Sequence, residues 1–163
     1  MKQEKVSAVL MNKPVCPCGS NLQYDFCCRI FHDNIKIPLT AESLMRSRFT
    51  AYAMKNEAYL LETWEESKRP KEIGFSKEIA EWTKLEIVNT KKGKEKDSKG
   101  IVEFKAYYTQ DDETYVMNEI SRFIKSSGRW LYTDGLVKPV SKQGKNAPCC
   151  CGSGKKFKRC CGK

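Results

Sequence analysis

The sequence predicts an α+β fold with a small cysteine-rich unit at each end, and three observations carry that prediction. Apolar residues recur at helical spacing between residues 41 and 64. Four runs rich in aromatic and β-branched residues follow, joined by short polar links. The pattern C-x-C-G-S-x6-C-C occurs twice, once near each end.

The helical half comes first. Thr40 can cap a helix start, with Glu42 near the positively polarised first turn. Leu44, Met45, Phe49, Tyr52, Ala53, Leu60 and Trp64 then follow the helical period, with a break near Asn56. Arg69-Pro70 ends this region, and Ser76 could cap a second short helix over Lys77 to Trp82. Strands are expected over Leu85 to Thr90, Ile101 to Thr109, Tyr115 to Lys125 and Arg129 to Thr133. In the second of these, Val102, Phe104, Ala106 and Tyr108 alternate with Ile101, Glu103, Lys105 and Tyr107. Short links between consecutive strands imply an antiparallel meander, and helices followed by such a sheet make an α+β domain. The segment 91–100 reads as a solvated hairpin tip.

The cysteine clusters carry the chemistry. Cys16, Cys18, Cys27 and Cys28 form the first; Cys149, Cys151, Cys160 and Cys161 form the second with identical spacing. Two cysteines two apart in an extended segment point to one side, so both sulfurs can meet one ion. Gly19 and Gly152 permit a sharp turn behind them. Gly154 is a second such position, replaced in the first copy by Asn21, a residue tolerant of left-handed backbone. A helical turn would return each Cys-Cys pair, with Tyr24 or Phe157 packing against it. Four thiolates around a tetrahedral ion make a closed structural zinc site, so two Zn2+ ions are expected. Disulfides fit poorly: nine is an odd number, and no cysteine lies between Cys28 and Cys149. Cys150 reads as a spectator thiol or else as a reactive thiol beside the zinc, and the single histidine, His32, either replaces Cys28 as ligand or, with four cysteines in place, stays outside the shell.

Composition bounds the rest. With 163 residues, 40% hydrophobic and 31% charged, the chain reads as globular. It has no apolar run long enough for a membrane helix. The Val6–Met11 run is too short for a secretory core, so a cytoplasmic protein is expected. The formal charge of +10 is unevenly spread. Residues 33–141 carry 19 basic and 18 acidic side chains, whereas 142–163 carry seven basic and no acidic ones. Part of that tail charge balances a thiolate site, since a four-thiolate zinc carries about −2. The other reading is a basic knob for an acidic protein or RNA.

Asn146-Ala147-Pro148-Cys149 through Cys160-Cys161-Gly162 resembles the SEC-C motif, with Cys150 where that motif usually has Pro. The resemblance implies zinc held by the four cysteines and docking to a partner protein or the ribosome. Ser43–Tyr52, Tyr59–Trp64, Arg69-Pro70, Trp82–Ile87, Glu119–Phe123 and Gly128–Gly135 resemble the YchJ-like (UPF0225) family. That family has an NTF2-like middle domain between SEC-C segments, and often a histidine where this chain has Asn118. The resemblance implies a cystatin-like or NTF2-like cone over 36–140, between knuckles at 1–35 and 141–163.

Two function classes follow. One is a zinc-dependent adaptor docking to a protein partner, such as the ribosome or an export or quality-control component. The other is a small-ligand binder or enzyme whose cone is lined by Arg46, Arg48, Glu119, Trp130 and Tyr132. In the plainer alternative, one arginine pairs with Glu119 as a buried ion pair and the aromatics are core. No recognisable catalytic constellation is present.

Overall fold

The computed structural model describes residues 14–163. The Val6–Met11 run and the start of the 1–35 segment lie outside them. Helix α1 spans Arg29–His32, α2 Ala41–Ala53 and α3 Glu57–Glu62. Strands β1 (Glu81–Lys92), β2 (Lys99–Gln110), β3 (Glu113–Ser126) and β4 (Arg129–Val137) pair antiparallel in sequence order. A two-residue β5 (Ser141–Lys142) returns to β3 at Tyr115 and Val116.

Local chemistry explains the boundaries. Thr40 caps α2 through a full capping box with Ser43, and the Asn56 side chain accepts from the Tyr59 amide to start α3. The β2–β3 hairpin turns on Asp111 and Asp112 and the β3–β4 hairpin on Ser127 and Gly128, all at positive φ, as tight two-residue hairpins require. Register shifts at Trp82/Lys84, Ile87/Asn89 and Arg122/Phe123 mark bulges that bend the sheet. The curved sheet wraps α2, and the core between them includes Leu44, Phe49, Leu60, Leu85, Val102, Phe104 and Phe123. The expected alternation holds in β2 from Ile101 to Ala106, with Val102, Phe104 and Ala106 buried, but not at its end, where Tyr107 is buried and Tyr108 only half-buried.

Two expectations are corrected. No helix forms over Lys77 to Trp82: a single 3-10 turn spans Phe75–Lys77 and β1 begins at Glu81. Trp82 instead meets Phe49, Tyr52 and Tyr108 as part of the sheet, so tertiary packing overrides a weak helical signal. The 91–100 hairpin is also not wholly solvated. At its base the Gly93 carbonyl accepts from the Ala41 amide, and a Cβ on Gly100 would stand 2.6 Å from the Gly93 Cα and 2.9 Å from the Ala41 Cβ. We therefore expect Gly100→Ala to cost about 1–3 kcal/mol, as overpacking does; denaturant unfolding should show a lower midpoint with an unchanged slope.

Candidate metal centres and the cone cavity

Each knuckle is built from the same local interactions. An isolated bridge joins Val15 to Gln23 in the first and Pro148 to Lys156 in the second. The Cys16 amide donates to the Leu22 carbonyl (2.7 Å), and the Cys149 amide to that of Lys155 (2.8 Å). Gly19 and Gly152 both sit at φ +80°, while Asn21 and Gly154 take the second left-handed position. Ser20 Oγ lies 3.1 Å from Cys27 Sγ, matched by Ser153 and Cys160 at 3.3 Å. A 3-10 turn, Tyr24–Phe26 or Phe157–Arg159, then returns the second cysteine pair.

The sulfurs converge in both copies, all four lying within 4.8 Å of one another. Cys18 and Cys27 are 3.5 Å apart and Cys27 and Cys28 3.9 Å; Cys151 and Cys160 are 3.4 Å apart and Cys160 and Cys161 4.0 Å. A tetrahedral ion with bonds near 2.3 Å sets its sulfurs about 3.8 Å apart, so both clusters fit such an ion. All nine cysteines are free thiols.

Crowding also argues for a cation. Hydrogen bonds from Cys18 and Cys28 hold Cys16 far below the usual thiol range, while Cys28 is pushed far above it, chiefly through Cys16. Cys18 rises to about 11, chiefly through Cys16. In the second cluster Ser153 draws Cys151 down to about 6, and hydrogen bonding to Cys149 pushes Cys161 up to about 12. Four thiols this close cannot all ionise unaided; a divalent ion held there would take the place of the retained protons.

The two copies differ in their surroundings. Cys16, Cys18 and Cys28 are 0–2% exposed against α2. Thr50 Oγ1 lies 3.4 Å from Cys28 Sγ and 3.5 Å from Cys16 Sγ, and Arg46 Nη1 donates to the Cys18 carbonyl (2.7 Å). A Cβ on Gly19 would meet the Leu85 carbonyl oxygen at 2.8 Å, so the turn is pressed onto β1. His32 is no ligand but a strut. Its Nε2 donates to the Ser47 carbonyl and its Nδ1 accepts from the Tyr24 hydroxyl, both at 2.9 Å. Burial lowers its pKa, keeping the ring neutral.

The C-terminal cluster is open. Cys149 is buried, but Cys151 and Cys161 are exposed, and both border a groove of about 610 Å³ beside the β1 and β2 ends. Cys150 lies outside the quartet and lines that groove with Lys84.

The cone holds a second feature, a cavity of about 240 Å³ between α2 and the sheet. Arg48, Glu119 and Tyr132 line it, together with Tyr52, Phe49, Trp82, Phe104, Met117 and Ser121. Arg46 does not reach the cavity, because residues two apart on a helix point to nearly opposite sides; it turns to the knuckle and pairs with Glu42. Trp130 is core, 2% exposed, its indole N–H donating to the Leu39 carbonyl. Glu119 has no arginine within ion-pair distance among the described residues, so the buried ion pair of the plainer alternative does not form. Tyr52, Trp82 and Ser121 were not read from the sequence as cavity residues. Tyr52 stands one turn after Arg48, a signal that helical spacing could have supplied.

A curved α+β cone carrying two four-cysteine centres able to hold metal ions defines the class of this protein. The family description "YchJ, middle NTF2-like domain" matches residues 40–135, and "SEC-C motif" matches 146–163. A UPF0225 protein of Vibrio parahaemolyticus is 41% identical over 164 aligned residues, covering 90% of this chain and 98% of the relative. One from Photorhabdus laumondii is 40% identical over 91% and 98% of the two chains. Among solved structures, a SEC-C motif containing protein from Psychrobacter arcticus is similar with a TM-score of 0.63 at 31% identity, over 91% of this chain and 95% of its own. One from Rhodopseudomonas palustris gives 0.66 at 28% identity, over 78% and 100%. The chain belongs to the UPF0225, or YchJ-like, family.

The burial contrast predicts unequal metal retention. A chelator should strip one ion quickly from the C-terminal centre and the other slowly, as native mass spectrometry of wild type and Cys160→Ser would resolve. The Tyr24–His32–Ser47 strut predicts that His32→Ala costs about 1–2 kcal/mol, since two hydrogen bonds are lost, one from the part-buried Tyr24 hydroxyl and one to the Ser47 carbonyl. His32 also sets a pH dependence. Unfolded histidine takes up a proton near 6.5 and the folded ring does so only at lower pH, so stability should fall as pH drops below about 6.5. Thermal melts of wild type and His32→Gln from pH 7.5 to 5 would isolate that contribution.

Proposed function

We propose that this protein is a cytoplasmic two-zinc adaptor, with the N-terminal ion a staple and the C-terminal knuckle the docking element. Zinc is the metal favoured by four thiolates in a tetrahedral arrangement. Nine free thiols suit a reducing compartment, and no helix among the described residues is long and apolar enough to cross a membrane.

The observation that carries the reading is the contrast between identical knuckles. The first has Cys16, Cys18 and Cys28 buried against α2; the second presents Cys151 and Cys161 to solvent. Lys155, Lys156, Lys158 and Arg159 lie between its cysteine pairs, and no acid occurs from residue 142 onward. Such a surface favours an acidic face of a partner protein, where charge steers encounter and the rigid knuckle sets orientation.

Affinity capture with the metal-loaded protein tests this. A partner retained by wild type after nuclease treatment should be lost both with Lys155→Glu, Lys156→Glu and Lys158→Glu combined and with Cys160→Ser. Capture unchanged by either variant would overturn the reading, and capture abolished by nuclease would replace the protein partner with RNA.

A further inference from the structure

The cone cavity has a chemistry of its own, independent of either metal centre. Arg48 is 2% exposed and has no carboxylate within ion-pair distance among the described residues. It is held rigidly all the same. Nη1 donates to the Leu60 carbonyl (2.8 Å) and to Thr63 Oγ1 (2.7 Å), and the guanidinium lies 5.0 Å from the Trp64 ring centroid and 4.6 Å from that of Tyr132. Both of these hydrogen bonds leave from Nη1; the guanidinium also engages the Tyr52 side chain, and it forms part of the cavity wall.

Glu119 is held in a complementary way. The Ser121 hydroxyl (2.6 Å) and the Tyr132 hydroxyl (3.2 Å) both donate to Oε1, leaving Oε2 without a donor among the described residues. The carboxylate fits because position 135 is glycine: a Cβ there would lie 1.9 Å from Glu119 Oε1. A fixed donor and a fixed acceptor therefore border one small space, and their formal charges cancel. Around them the wall is aromatic and apolar, from Phe49, Trp82, Phe104 and Met117.

We infer that the cone binds a small, neutral, planar heterocycle whose adjacent ring N–H and C=O meet Glu119 and Arg48. A net charge on the ligand would go unbalanced, whereas a lactam edge supplies one donor and one acceptor on neighbouring atoms. The aromatic walls suit a flat body, and the volume admits about a dozen non-hydrogen atoms, below the usual range for drug-sized ligands.

A matched pair of probes tests this on the full-length, metal-loaded protein: 2-quinolinone and its N-methyl derivative, titrated by NMR with resonances of Glu119, Ser121 and the Arg48 guanidinium followed. The expected result is saturable binding of 2-quinolinone at those residues. N-methylation should weaken it about tenfold or more, the size of a lost hydrogen bond to a charged group. Glu119→Gln should weaken the parent probe comparably while leaving the N-methyl probe little changed. Absence of binding up to the solubility limit would overturn the inference. So would equal binding of both probes, because a cavity that merely takes up apolar rings does not read the lactam edge.

Discussion

The seating of the first knuckle on helix α2 is the interaction on which the rest of the structure depends. Thr50 touches the thiols, Arg46 holds the knuckle backbone and Ser47 receives the His32 strut, so one stripe of the helix belongs to the metal centre. The opposite stripe supplies Met45, Arg48, Phe49 and Tyr52 to the cavity. Helical periodicity alone separates these duties, at positions 46, 47 and 50 against 45, 48, 49 and 52. The helix is thus sandwiched between thiols and sheet, which explains why Ser47 and Thr50, polar residues, can be fully buried in its middle. Ser47 is satisfied by the Leu44 carbonyl and the Tyr59 hydroxyl, and Thr50 by the Arg46 carbonyl as well as sulfur.

The second knuckle shows what that setting contributes. Its turns, serine contacts and sulfur spacings repeat the first, so the motif is locally self-sufficient. No helix among the described residues covers it, however. The chain reaches it through β5 and Gln143, whose amide donates to the Thr114 carbonyl, at the far end of β3. One sequence pattern therefore yields a buried staple in one place and an exposed head in another, and the difference lies in the partner surface rather than in the motif.

Much of this was legible in the residues. Repetition of Cys, Gly and Ser at fixed intervals identified both quartets and even the left-handed role of Asn21, because the chemistry depends on short-range geometry. The capping of α2 by Thr40, the break at Asn56 and the meander of four strands were also readable, each from a local signal. What was not legible depends on long-range contact. The segment before β1 shows a plausible cap at Ser76, yet Trp82 is drawn into the aromatic cluster of the sheet. Arg46 and Arg48 look alike in sequence, and only their helical phase sends one to the knuckle and the other to the cavity. The role of Gly135 was hidden altogether, since the need for a missing side chain arises from Glu119 across the β3–β4 pair.

The account rests on four sulfurs gathering around one ion at each end of the chain. Metal quantitation with X-ray absorption at the zinc edge, on protein purified without chelator, tests it most directly. Two zinc ions per chain, each with an all-sulfur shell near 2.3 Å, is the predicted result. Protein that is folded yet metal-free, or whose terminal cysteines are joined in disulfides, would contradict it.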